Sequence, residues 1–131
     1  MLAKTQAGGM QMGFPDVCLT PSPAGPVPIP YPNISLHPTA VGFVPNVLVT
    51  CAPGHNMTTI TPLTNGDNAG VALGVASGTV MAPARNITAA FTVILGCAPM
   101  TRMTSASIQN STNDPGVAIV PSVTNVLVMS P

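Results

Sequence analysis

The stretch Gly13-Phe14-Pro15-Asp16-Val17-Cys18-Leu19-Thr20-Pro21-Ser22-Pro23-Ala24-Gly25-Pro26-Val27-Pro28-Ile29-Pro30-Tyr31-Pro32-Asn33 sets the terms for the fold. From Pro26 to Pro32 every second residue is proline, each with φ fixed near −65°, no N–H to donate, and a preceding residue pushed to extended angles. Such a chain is stiff and cannot donate a regular ladder, so residues 13–33 read as a rigid edge or a wrapping arm. A ligand for a proline-binding domain is the obvious alternative, but the interleaved Val27, Ile29 and Tyr31 lack the flanking basic residue such ligands carry.

The same economy of N–H donors runs through the whole chain. Sixteen prolines and twelve glycines in 131 residues interrupt nearly every potential helix, and an interior proline costs a helix about 3 kcal/mol. The polar residues are Thr, Ser and Asn, there is no Glu, and Val, Ile and Thr abound. This composition predicts an all-β chain of short strands with proline-shaped turns. With three Phe, one Tyr and no Trp, the expected core is aliphatic, with eight Met to fill irregular gaps. The length allows one domain, residues 1–131.

Charge narrows the possible partners. Lys4, Arg85 and Arg102 balance Asp16, Asp67 and Asp114. A nucleic-acid or anionic-membrane surface needs a basic face this chain does not have. No apolar run reaches the roughly 18 residues of a membrane helix, and Met1 to Gly13 lacks the basic end and apolar block of a secretory signal. Disordered chains are poor in aliphatic residues and rich in charge, and this one is the reverse. A surface so short of solvating groups is expected to be largely covered by a partner.

A threefold echo lies within the sequence. Asn46-Val47-Leu48-Val49-Thr50-Cys51-Ala52-Pro53 is repeated as Thr92-Val93-Ile94-Leu95-Gly96-Cys97-Ala98-Pro99, and a shorter copy is Thr124-Asn125-Val126-Leu127-Val128-Met129. The repeats predict strands near 46–51, 92–97 and 124–129 on three similar sides. Strict alternation puts Val47, Val49 and Cys51 on one face, and Val93, Leu95 and Cys97 on another, so both cysteines are expected among buried valines as small core residues.

Phe14-Pro15-Asp16-Val17-Cys18, Pro23-Ala24-Gly25-Pro26-Val27-Pro28-Ile29-Pro30-Tyr31-Pro32-Asn33, the block Gly74-Val75-Ala76-Ser77-Gly78-Thr79-Val80 and the two strand-plus-Ala-Pro turns resemble the PAAR-like (Tox-PAAR-like) family of spike-tip proteins from about Gly8 to Val128. These proteins serve type VI secretion and related contractile injection systems. The resemblance implies a small β-rich cone whose base sits on a trimeric spike of the VgrG or hub type, one tip per trimer, with no enzymatic activity of its own. It implies synthesis in the bacterial cytoplasm, assembly on the spike, and transient contact with a target membrane after export. Relatives are often fused to a toxin; no fused toxin domain is expected here, and a separate effector cargo, or a place in a baseplate or phage tail, are the rival roles. The docking residues expected on this basis are Val27, Ile29, Tyr31 and Asn33 of the arm, with Val47, Val93 and Val126 of the repeats.

Better-known PAAR proteins hold a structural zinc near the apex with histidine and cysteine ligands. The candidates here are Cys18, His37 and His55, but their spacing is poor for a four-ligand site. Where zinc-binding relatives place ligands this chain has Thr58, Asn65, Asp67, Asn110 and Asn113. Without a metal, Asn and Asp side chains are expected to hold the apex turns. Three cysteines leave at least one unpaired, and reduced thiols are expected. No paired acids or phosphate-cradling loop accompany Cys51, His55 or Asp67, so no hydrolytic site is expected.

Overall fold

The computed structural model of the protein describes residues 1–130. Ten strands account for its regular structure, with a single 3-10 turn at His37–Thr39 as the only helical element among the described residues. They are β1 (Met10–Thr20), β2 (Val27–Leu36), β3 (Val44–Val49), β4 (Ala52–Gly54), β5 (Ile60–Thr61), β6 (Ala84–Asn86), β7 (Ala90–Leu95), β8 (Ala98–Met100), β9 (Ala106–Gln109) and β10 (Asp114–Val120). Six of these form one sheet in the order β2-β1-β10-β9-β6-β5, while β3-β4 and β7-β8 are separate hairpins. The all-β expectation holds.

The arm divides: residues 13–20 lie in β1, inside the sheet between β2 and β10, which corrects the expected edge there, while the proline-rich half from Val27 is the edge strand β2, and its prolines explain how. Leu19 donates to the Leu73 carbonyl (2.9 Å) and Val75 donates to that of Val17 (3.0 Å), so Val17 and Leu19 turn their polar groups away from β2. Asp16, Cys18 and Thr20 therefore face β2, opposite Tyr31, Ile29 and Val27. Pro28 and Pro30 fall at the alternate positions, with only a carbonyl on the outer edge. The strand thus makes a regular ladder on its inner side, which the sequence reading denied it, and offers no N–H at these positions to a further strand. Toward its C-terminal end the outer edge becomes pairable again, where Ile34 and Asn65 exchange both backbone bonds at 2.7 and 2.8 Å.

The two full repeats are two-residue hairpins. Val49 pairs with Ala52 across Thr50 and Cys51 (φ 55° and 64°), and Leu95 pairs with Ala98 across Gly96 and Cys97 (φ 59° and 70°). Two consecutive left-handed residues match the twist of the flanking strands, the type I′ geometry. Both cysteines are therefore exposed at turns, which corrects their expected place among the valines: the strands end at Val49 and Leu95, and alternation does not carry through a turn.

The third repeat has no hairpin of its own. Leu127 forms a bridge with Leu2, Ala3 donates to the Val126 carbonyl (3.1 Å) and Val128 to that of Met1 (2.7 Å). The first residues of the chain thus supply what β4 and β8 supply elsewhere. From there a closed ring of backbone bonds follows. His55 donates to Lys4 (3.0 Å), Thr101 to His55 (3.1 Å) and Lys4 to Thr101 (3.3 Å). Two residues on, Gln6 donates to Pro53, Met57 to Pro99 and Met103 to Leu2 at 2.9, 3.0 and 2.7 Å. The internal symmetry is pseudo-threefold in backbone bonding.

Ala3, Val44, Ala90, Leu95, Met100, Val123 and Val128, from the ring's flanks and the hairpins, form a small aliphatic core. Away from it the interior is polar: Gln11, Ser107, Gln109 and Asp114 are buried on the sheet, while Pro115, Val117 and Ile119 of β10 face outward. The expected aliphatic core is thus confined to the hairpin end. Elsewhere closely spaced backbones leave room inside only for small or hydrogen-bonded side chains. At Gly116, for example, a β-carbon would collide with the Met12 carbonyl and the Gln109 amide.

Candidate functional site

The long strands define two ends. Met10 of β1 pairs with Leu36 of β2 and with Val120 of β10, and each of these leads into the ring or its hairpins. Thr20 lies ten residues further along β1, about 30 Å at a strand's rise per residue. One end of the molecule therefore carries the hairpins and the other carries Asp16, Cys18 and the start of β2.

At the hairpin end, Leu48, Ile94 and Leu127 hold corresponding positions in the three repeats. They are 62%, 61% and 62% exposed. Leu48 pairs with Pro53, Ile94 with Pro99 and Leu127 with Leu2, so the likeness extends to their partners. Val47 is exposed beside Leu48, whereas Val93 and Val126 are half-buried and pack on the core. Single exposed aliphatics are ordinary on a surface; three at matched sites of an internal threefold are a pattern.

The arm residues lie elsewhere. Val27 and Ile29 are exposed near the far end, Tyr31 is half-buried with its hydroxyl 2.7 Å from that of Thr20, and Asn33 is fully buried. The structure does not bring the seven expected docking residues onto one surface.

The far end is built around Asp16. A register shift between Gly13 and Asp16 switches the buried face of β1 from Gln11 and Gly13 to Asp16 and Cys18. The Asp16 Oδ2 accepts from Asn33 Nδ2 (2.6 Å), and its Oδ1 accepts from the amides of Asn110 (3.3 Å) and Asn113 and from the Cys18 thiol (3.4 Å). Asp67 enters from the segment 61–70, where Thr61, Thr64, Asp67 and Gly70 are buried at every third residue. Its Oδ2 accepts from the Met81 N–H (2.9 Å) and its Oδ1 has no partner. Burial, reinforced by Asp16, pushes the Asp67 carboxyl upward. Burial and the two carboxylates push the Cys18 thiol to about 12, so it stays protonated. Asp114 is buried nearby with both oxygens unpartnered, and burial followed by repulsion from Asp16 and Asp67 pushes it up to about 7.

The expected metal candidates are separated. Cys18 belongs to this far-end cluster, whereas His37 and His55 meet near the ring with ring centroids 5.9 Å apart. His37 Nδ1 lies 3.1 Å from the Gly8 carbonyl, and His55 Nε2 lies 2.7 Å from Gln6 Oε1. Burial, followed by the nearby Lys4, drives both imidazoles down to about 3, so they are neutral. Lys4 is itself buried, bonded to Gln11 Oε1 (3.0 Å) and Asn86 Oδ1 (2.8 Å), and desolvation lowers it to about 7. Four of the six formally charged side chains, Lys4 and all three aspartates, are therefore inside the protein. Sequence reasoning expected Asn and Asp side chains, Asp67, Asn110 and Asn113 among them, to hold the apex turns, but it did not foresee the burial of Lys4, Asp16 and Asp114.

No curated protein and no solved structure matches the chain. The model of the family described as Toxin PAAR-like domain matches residues 9–116, a span that takes in the proline strand, both complete hairpins and the segments that converge on Asp16. With more than four-fifths of the sequence inside that match, the chain belongs to the toxin PAAR-like domain family.

Proposed function

We propose that the protein is a non-enzymatic spike tip that docks by its hairpin end on a threefold-symmetric partner, the trimeric spike of a contractile injection system. The observation that carries this reading is the matched exposure of Leu48, Ile94 and Leu127. A monomer that meets a trimer on its axis must offer three similar contacts, and these residues stand at equivalent places in a backbone that is itself pseudo-threefold. Burying three such aliphatic side chains supplies roughly 1.5–3 kcal/mol each before the costs of association. Val47 extends the contact, while Val93 and Val126 hold the strands that present it. The opposite end then points toward the target membrane.

A second reading, carriage of an effector, draws on one feature. Phe14 is well exposed over a groove floored by Gly13 and Gly116 and walled by Met12, Pro115, Val117 and Ile119. The two roles use different faces.

Native mass spectrometry of the protein co-expressed with its trimeric spike tests the docking. One copy per trimer is expected for the wild type, and loss of the complex for Leu48→Asp/Ile94→Asp/Leu127→Asp, whose exposed sites leave the fold intact. Assembly of the triple variant at normal yield would overturn the reading.

A further inference from the structure

The family resemblance implies a zinc near the apex, and among the described residues one group of three possible ligands exists: Asp16, Cys18 and Asp67, with ligand atoms all within 4.8 Å of one another. The donor types suit zinc. Their neighbours do not. Asn110 turns its Nδ2 toward Asp16 Oδ1 (3.3 Å) and Cys18 Sγ (3.6 Å), the same atoms a metal would take. That orientation is fixed from behind, because Asn110 Oδ1 accepts from the Thr79 hydroxyl (3.1 Å) and the Ala82 N–H (3.2 Å). Asn113 is fixed in the same way: its Oδ1 accepts from Ala76 N–H (2.8 Å) and Ser77 N–H (3.2 Å), leaving Nδ2 for Asp16 and the Val17 carbonyl. On the other carboxylate oxygen Asn33 Nδ2 bonds both Asp16 and Thr64 Oγ1, and the Thr64 hydroxyl already donates to the Ala82 carbonyl.

A cation at this point would face N–H groups from two sides, and turning an amide to offer oxygen would take the acceptor from the Ala82 N–H, or from those of Ala76 and Ser77. We infer that the cluster is an anion hub and not a metal site: Asp16, held by the side-chain amides of Asn33, Asn110 and Asn113 and by the Cys18 thiol, joins β1, β2, the 61–83 segment and the β9–β10 turn, and so does the cross-linking that zinc does in the relatives. The hub uses the chemistry of a carboxylate with its lone pairs filled by neutral donors; Lys4 and Arg102 make their hydrogen bonds elsewhere.

The test uses the full chain purified from zinc-supplemented medium. Native mass spectrometry is expected to show the bare polypeptide mass, and EDTA is expected to leave Tm unchanged. Asn110→Asp separates the two readings further. In an anion hub it sets a carboxylate against Asp16 and removes the amide, lowering Tm by about 5 °C or more, whereas in a metal site it adds a ligand and raises zinc affinity. Cys18→Ser keeps an O–H donor to Asp16 and is expected to fold with unchanged zinc content, which covers the case in which Asn110→Asp fails to fold. One zinc per chain together with a chelator-induced fall in Tm, or zinc retention strengthened by Asn110→Asp, would overturn the inference. Spike docking is read separately, so its failure leaves this result standing.

Discussion

The carboxyl group of Asp114 occupies the space that a side chain at residue 13 would need. A β-carbon built on Gly13 would lie well inside contact distance of all three terminal atoms of Asp114. Gly13 has ordinary backbone angles, so the constraint is steric alone. Gly13→Ala is expected to displace a buried carboxyl that already lacks partners, at a cost of about 1–3 kcal/mol, measurable as a lower midpoint in urea. An unchanged midpoint would mean that Asp114 has somewhere else to go.

Asp114 also sets a pH dependence. Its folded pKa, raised to about 7, stands above the unfolded value near 4. Between those limits the folded protein holds a proton that the unfolded chain has released, so this residue's contribution is full below the lower limit and is lost as pH rises to the upper one. Asp114→Asn removes the titration. The variant is expected to gain on the wild type as pH goes from 4 to 7, read from paired denaturation curves, and a constant gap would refute the assignment.

Lys4 works over the next interval. Burial lowers it to about 7 when folded against about 10.4 when unfolded. From neutral pH upward the unfolded chain binds the extra proton, so wild-type stability is expected to rise relative to Lys4→Met between pH 7 and 10. The methionine variant leaves Gln11 Oε1 and Asn86 Oδ1 without their donor and starts from a lower baseline.

The turn cysteines give two measurements. Native protein is expected to react with a thiol reagent at Cys51 and Cys97 and to protect Cys18, giving two fast thiols and a third only on unfolding. Cys51→Gly and Cys97→Gly each relieve a left-handed residue and are expected to stabilise by about 1 kcal/mol. Loss of stability would show that the thiols make contacts beyond the turn.

Restoring N–H groups to β2 tests the role of its prolines. Pro28→Val/Pro30→Val puts donors back on the outer edge beside exposed Val27 and Ile29, and concentration-dependent self-association is expected by light scattering. A monomeric variant would mean that something other than the missing donors guards that edge.

The strand content, the edge character of residues 26–32 and the relation between the two hairpins were legible because they rest on local chemistry: proline's absent N–H and a repeated strand–turn pattern. The Asp16 site was not. Alternation along β1 fails at the register shift after Gly13, and without that shift Asp16 falls on the wrong face. Nor does sequence reveal that Lys4, His37 and His55 meet inside, since burial of a lysine contradicts its usual preference and depends on partners 7 and 82 residues away. The third repeat was found as an echo, but the strand expected at 124–129 is reduced to a single bridge between Leu127 and Leu2, a partner that no turn joins to it.

That partnership bears on how the molecule is made. The backbone ring contains Lys4, His55 and Thr101, so a growing polypeptide has no closed ring until Thr101 has been added, and its third side waits for Val126 and Val128. Contacts so distant along the chain favour slow folding: Lys4 and Gln6 can pair once His55 and Pro53 have been added, but Leu2 and Ala3 wait for Met103 and Val126. An aliphatic, nearly uncharged chain left open for that long is exposed to aggregation, and expression yield will depend more on how soon the three repeats meet than on the stability of the finished protein.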